Sequence, residues 1–370
     1  MLFTEVRFAL LVIGCWVTLA VVPAARRGAA LAIWGAAFYV IYAPAATPLA
    51  FGLIALTFVC GRRCWWAATI VVLAALAYYK SGRLLMPLGL SFLAFELVHF
   101  AIERHRGRPA PAGLADYLAF ALYFPCRVAG PIKRYPDFEK AVASARPSVV
   151  SVYDGLLRIL IGLAKKLVLA DFLGLTVAEM AYAETRAQVA KVILAYSFQI
   201  YLDFSAYSDL AIGVSRLFGI AIPENFRWPY LSGNIQDFWT RWHISLSSWV
   251  RDYIFLPFGR YAFGTGLRRR PLAIAALGYL IAFLAVGAWH GLTANFLLWG
   301  AYHGALLGAH HAYRKTIAAR LATYAIYQST AAAIASTLLT FGAVTLGWIL
   351  FLTPDLPQAL RVLRLLAGRA

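Results

Sequence analysis

Residues 272–304 read LAIAALGYLIAFLAVGAWHGLTANFLLWGAYHG, and this stretch decides the class of fold. Its first half, residues 272–287, is almost wholly apolar. With its flanks it is long enough to cross a hydrocarbon core of about 30 Å as a helix. His290 is therefore expected to end a transmembrane helix, and Gly291 permits a break after it. His303 follows within or near the next helix.

The composition of the whole chain is that of a membrane protein. Of its 370 residues, 62% are hydrophobic and 14% are charged, and the mean hydropathy is +0.71. A soluble domain of this length needs far more polar surface, so the excess apolar area must face lipid. The apolar runs predict an all-α, polytopic bundle of roughly ten to twelve membrane helices, some of them short or re-entrant. Because no linker or repeat divides the chain, residues 1–370 are predicted to form a single membrane domain.

Basic residues are concentrated in the short connections between apolar runs. The formal charge is +18, from 34 Lys and Arg against 16 Asp and Glu. The clusters lie at 26–27, 62–63, 104–108, 165–166, 268–270 and 314–315. Basic loops of this kind are typical of the cytoplasmic face of a membrane. We therefore expect no nucleic-acid partner, and we predict a multi-pass protein of the inner, cytoplasmic membrane surrounded by the lipid bilayer.

The first half of the chain predicts a simple topology. Five segments are expected to cross the membrane: 8–24, 29–43, 49–60, 65–79 and 84–102. The basic clusters between them then share the cytoplasmic side, and the N-terminus lies outside. Residues 1–25 are predicted to be a retained first span and not a cleaved signal.

Polar residues lie among apolar and aromatic ones in residues 196–260. Such residues are costly in lipid unless they are paired or face a water-filled cavity. Two prolines in residues 223–230 exclude a continuous helix there. Asn234 is predicted to cap a new helix in which Asp237 pairs with Arg241, four residues later. Three side chains are expected to share one face of that helix, at the membrane interface or on a cavity wall: Trp239, His243 and Ser247.

Histidines at helix ends among aromatic residues are candidates for catalysis. His243 and His290 both occupy such positions, where a neutral imidazole can meet a substrate. A proton-coupled transporter would also explain them, so the chemistry of these residues leaves both functions open. His310 and His311, beside a basic pair, are expected to be packing residues.

No metal site is expected. The sequence has no His-x-x-His or His-Glu-x-x-His spacing, and His243, His290 and His303 would have to converge from separate elements. Cys60 and Cys64 lack two further ligands nearby, so the cysteines are expected to be small apolar residues.

Five segments resemble the membrane-bound O-acyltransferase family. They are YFPCRVAGPIKRYPDF at 123–138, QIYLDFSAYSDLAIG at 199–213, PENFRWPY at 223–230, FWTRWHISLSSWVRDYIFLP at 238–257 and WHG at 289–291. The resemblance runs from about residue 87 to residue 304, in the family's order and with similar spacing. It is strongest to the bacterial branch that contains alginate O-acetyltransferase membrane subunits and the D-alanyl-lipoteichoic acid transfer protein.

The resemblance implies a helical bundle around a central tunnel or funnel, and an acyltransferase activity. The position that matches His290 is the catalytic one in that family, and His243 matches its second signature position. The implied donor is acetyl-CoA or another cytoplasmic acyl thioester, with no permanently bound cofactor. An extracytoplasmic acetyltransferase partner would complete transfer to an exported or cell-wall polysaccharide such as alginate. The alternatives are D-alanyl transfer to teichoic acid, or a transporter or flippase without enzymatic activity.

Further residues are candidates for binding substrate or donor, or for lining the tunnel: Asn225, Trp239, Arg241, Ser247, Arg251, Trp289, His303 and Asp203. Arg241, Arg251, Lys133 and Arg134 carry the positive charge that donor phosphates require. For Arg241, an ion pair with Asp237 is the competing expectation.

The expected reaction is direct transfer of the acyl group. His290 would act as the general base, and His243 would orient the acceptor or stabilise charge. A covalent intermediate is not favoured, because the available nucleophiles have no base at an identifiable spacing. These nucleophiles are Ser245, Ser247, Ser248 and Cys126.

Overall fold

The computed structural model describes residues 2–82, 84–107, 111, 113–321 and 323–368. Within these residues every regular element is a helix and none is a strand, which confirms the all-α prediction. Arg108, at the end of the predicted basic cluster at 104–108, lies outside the described residues.

The helices form two compact units. The first contains Met1–Lys166 and Phe204–Glu224, and the second contains Leu167–Asp203 and Asn225–Ala370. The single membrane domain expected for residues 1–370 stays a prediction.

In the first unit, apolar runs form helices, and the basic pair Arg62-Arg63 lies in the turn between two of them. The helices are α1 (Val6–Val21), α2 (Arg27–Tyr42), α3 (Thr47–Cys60), α4 (Trp65–Lys80), α5 (Leu90–His105), α6 (Leu114–Ala121), α7 (Tyr135–Ala143) and α8 (Val149–Leu163). The five segments predicted to cross the membrane overlap α1 to α5. Pro44 follows α2 and cannot continue its hydrogen bonding. The helical stretches Ala24–Tyr42 and Pro44–Cys60 are accordingly bent by 116°.

The second unit contains most of the polar segments singled out in the sequence. Its helices are α9 (Asp171–Ala178), the first part of α10 (Arg186–Leu217), α11 (Ile235–Arg241), α12 (Ile244–Val250), α13 (Leu256–Phe263), α14 (Pro271–His290), α15 (Ala294–Thr316), α16 (Ala318–Leu321), α17 (Thr330–Leu352) and α18 (Leu356–Leu366). The rest of α10 belongs to the first unit.

Short π-helical and 3-10 segments lie before and between these helices. The segments Ala164–Ala170 and Arg251–Phe255 are π-helical. Short 3-10 turns occupy Leu2–Thr4, Ala24–Arg26, Pro44–Ala46, Phe124–Cys126, Glu179–Tyr182, Pro229–Leu231, Gly266–Arg269 and Ala325–Gln328.

Within the described residues, two helices are long and apolar enough to cross a membrane, α14 and α17. The bent pair of α2 and α3 would make a third span if it crosses as one unit. Among the described residues, length and composition therefore support two or three of the ten to twelve predicted spans. Shorter apolar helices include Val6–Val21 and Trp65–Lys80.

A charged cluster is buried in the first unit. The carboxylate of Glu96 on α5 accepts hydrogen bonds from Arg127 at 3.0 Å and from Lys133, and all three side chains are buried. The opposite charges offset the several kcal/mol that removing each ion from water costs. Lys133 is therefore occupied with Glu96 and is not available to donor phosphates. His99 also binds this segment, because its Nε2 accepts the backbone N–H of Tyr135 at 2.9 Å.

The hairpin of α14 and α15 is packed through glycines. A Cβ on Gly300 would lie 2.3 Å from the carbonyl oxygen of Phe283, and one on Gly287 would lie 2.3 Å from that of Phe296. Ordinary contacts begin at 3.4 Å, so only glycine permits this approach. Small residues commonly let membrane helices come this close. The packing fixes the last turn of α14, which carries His290, against the first turns of α15.

Candidate functional site

His290 is the last residue of α14, as predicted. The backbone N–H of Gly291 bonds to the carbonyl of Gly287 at 3.1 Å, after which the chain becomes extended. The imidazole is half-buried, so it is neither sealed in the core nor fully exposed. An imidazole in this position can exchange a proton with a ligand.

Four aromatic rings surround the His290 imidazole. The centroid separations are 4.4 Å to Trp289, 4.7 Å to Phe351, 5.5 Å to Trp299 and 5.9 Å to Phe296. Phe351 and Trp299 lie nearly perpendicular to it, at 78° and 84°, and Phe296 lies at 27°. Because the rings come from α14, α15 and α17, the packing of three helices sets the orientation of the imidazole.

His243 lies in a turn between α11 and α12 and has a left-handed backbone, with φ 44° and ψ 53°. This conformation costs a residue other than glycine roughly 1–2 kcal/mol. The continuous helix expected here is therefore wrong, and Trp239, His243 and Ser247 do not share one helical face.

Asn225 holds the His243 turn in place. Its Oδ1 accepts hydrogen bonds from the backbone N–H of Ser245 at 3.1 Å and from the Ser245 hydroxyl at 2.7 Å. Its carbonyl oxygen accepts the N–H of Ile244 at 2.9 Å. Asn225 is fully buried. The structure therefore gives it a part in holding His243, whereas contact with substrate stays a prediction.

Trp289 lies between the two predicted catalytic histidines. The His243 ring stacks on Trp289 with centroids 6.5 Å apart and planes 17° apart, and Trp289 also contacts His290. The His243 turn joins two seven-residue helices and lies outside the spanning helices. Burial there lowers the pKa of His243 from 6.5 to about 3, so its imidazole is neutral.

A cavity of about 390 Å³ lies in the same unit. Three predicted site residues line it: Trp239, Ser247 and Arg251. One face of α14 forms an apolar wall, through Tyr279, Ala282, Phe283 and Val286. Cavities of about 300–1,000 Å³ with apolar walls and a few polar groups are typical of small-molecule sites. His290 continues this helical face four residues beyond Val286, about 6 Å further along the axis.

Arg251 is the charged residue of this cavity wall. It begins the π-helical segment Arg251–Phe255, and such segments are frequent at functional sites. Its Nε donates to Asp252 at 2.9 Å, and the side chain is 62% exposed. The remaining guanidinium N–H groups can therefore be reached by an anionic ligand.

Seven predicted site residues do not line the cavity: the four described above, His290, His243, Asn225 and Trp289, together with Arg241, His303 and Asp203. Arg241 donates to Asp237 at 2.9 Å, which confirms the expected ion pair. The fully buried His303 ring packs 5.2 Å from Trp239 and 4.8 Å from Trp299, in the aromatic core. Asp203 is half-buried on α10, and its role stays a prediction.

In the part of the chain that the structure describes, no three His, Cys, Asp or Glu side chains come together as metal ligands would. The absence of a metal from the working protein stays a prediction.

The structure adds site residues that sequence reasoning missed. Phe296 and Trp299 lie in the same stretch as His290, and their helical spacing could have indicated them. Asn295 lies in that stretch too, and its side chain bonds to Thr353 at 2.9 Å. Phe351 on α17 reaches the site from a distant part of the sequence.

These features define an all-helical membrane protein in which two histidines flank a tryptophan, in the same compact unit as an apolar cavity. Residues 58–345 match the model of the membrane-bound O-acyltransferase family. The chain belongs to that family, as the sequence resemblance implied. The matched residues include both histidines and the cavity, whereas Phe351 lies beyond them.

Curated relatives carry three kinds of name. The chain is 35% identical over 284 residues to a protein of Pseudomonas syringae pv. tomato named probable alginate O-acetylase AlgI, covering 76% of this chain and 51% of the relative. It is 30% identical over 324 residues to the peptidoglycan O-acetyltransferase of Helicobacter pylori, covering 79% and 59%. It is 33% identical over 245 residues to the teichoic acid D-alanyltransferase of Bacillus subtilis, covering 64% and 62%. The chain thus spans about half to three fifths of the length of these relatives.

Proposed function

We propose that this protein is an acyltransferase of the inner membrane. It would take an acyl group, in the first place acetyl, from a cytoplasmic thioester for the O-acetylation of an exported or cell-wall polysaccharide. The main observation that supports the proposal is the half-buried imidazole of His290. That imidazole lies at the end of the α14 face that lines the cavity. The relatives named alginate O-acetylase and peptidoglycan O-acetyltransferase support the same reaction class.

The proposed reaction uses His290 as general base. Its imidazole takes the proton of the acceptor hydroxyl while that oxygen attacks the thioester carbonyl. The tetrahedral intermediate then collapses, the carbon–sulfur bond breaks, and the imidazolium returns the proton to the leaving thiolate. Base catalysis by a positioned imidazole is typically worth about 10² to 10⁴ in rate.

The cavity is the proposed site of the donor. Its apolar wall would hold the uncharged part of the thioester, and Arg251 would bind the phosphates. Because His290 lies one helical turn beyond Val286 on the same face, a donor held there would direct its reacting carbon towards the imidazole.

Hydrogen bonding in this segment supports direct transfer over a serine intermediate. The hydroxyl of Ser245 donates to Asn225 Oδ1 at 2.7 Å. The hydroxyl of Ser247 donates to the carbonyl of Trp242 at 3.1 Å, and that of Ser248 to the carbonyl of Ser245 at 3.0 Å. A serine nucleophile must give its proton to a base, and the hydroxyls of Ser247 and Ser248 donate to backbone carbonyl oxygens instead.

A second candidate function is D-alanyl transfer to teichoic acid, which the name of the Bacillus subtilis relative favours. The two candidates share the reaction at His290 and differ in the acyl group and the polymer. In either case we propose that an extracytoplasmic partner protein completes the transfer.

The test is a His290→Ala variant, assayed in membranes with radiolabelled acetyl thioester and, separately, with D-alanyl thioester. We expect polymer labelling to fall by at least about 10²-fold while the amount of protein in the membrane is unchanged. His311→Ala is the control: it alters a half-buried histidine on α15, away from His290, and should retain labelling. Normal labelling in the His290 variant would refute the assignment, and the labelled donor that works decides between acetyl and D-alanyl transfer.

A further inference from the structure

Asn295 joins the start of α15 to the end of α17. Its Nδ2 donates to the backbone carbonyl of Thr353, the residue after α17, at 2.9 Å. Only the NH₂ group can donate to a carbonyl, so this bond fixes which way the amide points. Asn295 and Thr353 are 3% and 5% exposed, so the bond is shielded from water.

The bond lies beside the two phenylalanines that flank His290. Phe296 is the next residue after Asn295, and Phe351 is two residues before Thr353. Their rings are 4.9 Å apart and nearly perpendicular, at 77°. Both contact the His290 imidazole, from α15 and α17 respectively.

We infer that Asn295 is a positioning residue for His290, a role that rests on the proposed function. The amide holds the last turn of α17 against the first turn of α15, which keeps Phe296 and Phe351 closed on the imidazole. Without that bond the two helix ends can separate, and the imidazole gains orientations in which it does not face the acceptor. Since Asn295 acts through the two rings, its loss should change turnover more than donor binding.

The experiment compares full-length Asn295→Ala with the unaltered protein, both purified in detergent. Diethyl pyrocarbonate modifies accessible imidazoles, and mass spectrometry of peptides gives a rate for each histidine. We expect His290 to react several-fold faster in the variant, while the rate at His311 is unchanged. With acetyl thioester as substrate, kcat should fall about tenfold and KM for the thioester should stay within about twofold.

Two further variants separate positioning from general destabilisation. Asn295→Asp has nearly the same volume but no NH₂ donor, so it should behave like the alanine variant. It replaces the alanine variant in the experiment if that variant does not accumulate. Ser329→Ala removes the cap at the opposite end of α17, where the Ser329 side chain accepts the N–H of Ala332. It should lower thermal stability and leave the modification rate of His290 unchanged.

The possible failures can be told apart. If His290→Ala stays active, the proposed role of His290 as the base is refuted whatever Asn295 does. If His290→Ala is inactive but Asn295→Ala and Asn295→Asp keep the original kcat and modification rate, the positioning role alone is refuted. A faster reaction of His290 in Ser329→Ala would also refute it, because stability would then explain the effect.

Discussion

Replacing Gly300 by alanine perturbs the α14–α15 hairpin at its closest approach. The new Cβ would lie 2.3 Å from the carbonyl oxygen of Phe283, which is 1.1 Å short of the 3.4 Å of an ordinary contact. Because the obstructing atom belongs to the backbone, no side chain can rotate away. The two helices must therefore separate by about 1 Å near this point.

Two opposing effects make the expected loss of stability modest. Overpacking a close contact costs about 1–3 kcal/mol. Replacing a glycine by alanine inside a helix raises the free energy of unfolding by about 0.5–1 kcal/mol. The expected effect on activity is larger, because the separation shifts His290 on α14 relative to Trp299 on α15. A misplacement of about 1 Å at a catalytic group can cost about 10²-fold in rate.

The assay measures thioester consumption and the thermal unfolding midpoint of the purified protein in the same detergent. Gly342→Ala on α17 is the matched control, since a Cβ there meets nothing within 4 Å. We expect the control to keep its activity with an equal or higher midpoint, and Gly300→Ala to lose at least tenfold in activity with a small drop in midpoint. Full activity in Gly300→Ala would show that the hairpin tolerates the separation and that its closeness does not position His290.

Two other substitutions test the hydrogen bonds of Asn225 and the buried cluster around Glu96. Asn225→Ala removes the two side-chain bonds to Ser245 and keeps the backbone bond from Ile244 to the carbonyl of residue 225. It should lower the free energy of unfolding by about 1–3 kcal/mol and reduce activity; an unchanged turnover would contradict the role given to Asn225. Glu96→Ala removes the carboxylate that pairs with two buried cations and should lower the free energy of unfolding by about 3–5 kcal/mol. Lys191→Ala breaks the exposed pair with Glu179 and should lower it by about 0–1 kcal/mol. Equal unfolding midpoints for these last two variants would contradict the account of the buried cluster.

Local features of the fold could be predicted from the sequence. The side chain of Asn234 accepts the N–H of Asp237 at 2.8 Å, and Asp237 pairs with Arg241, as their spacing along a helix indicates. The end of α14 at His290 followed from an apolar run that stops before a glycine. Each of these depends on residues within one or two helical turns, so the pattern of side chains determines them.

Features set by distant contacts could not be predicted. The helix breaks at His243 because Asn225, 20 residues before Ser245, holds the turn. Phe351 reaches His290 because α17 returns to the start of α15, where the bond from Asn295 to Thr353 spans 58 residues. Lys133 has the charge to bind donor phosphates, but its side chain pairs with Glu96, 37 residues earlier in the sequence. In each case the sequence shows a suitable residue type but not its partner.

The buried Glu96 cluster has a consequence for biogenesis. Glu96 leaves the ribosome 37 residues before Lys133 and 31 before Arg127. At about 5–20 residues per second, the nascent chain carries this carboxylate for roughly 2–7 s before both of its counter-ions have been synthesised. During that interval the segment around Glu96 cannot settle stably into a hydrocarbon phase with an ionised side chain. Stable insertion of this segment should therefore wait until translation has passed Lys133.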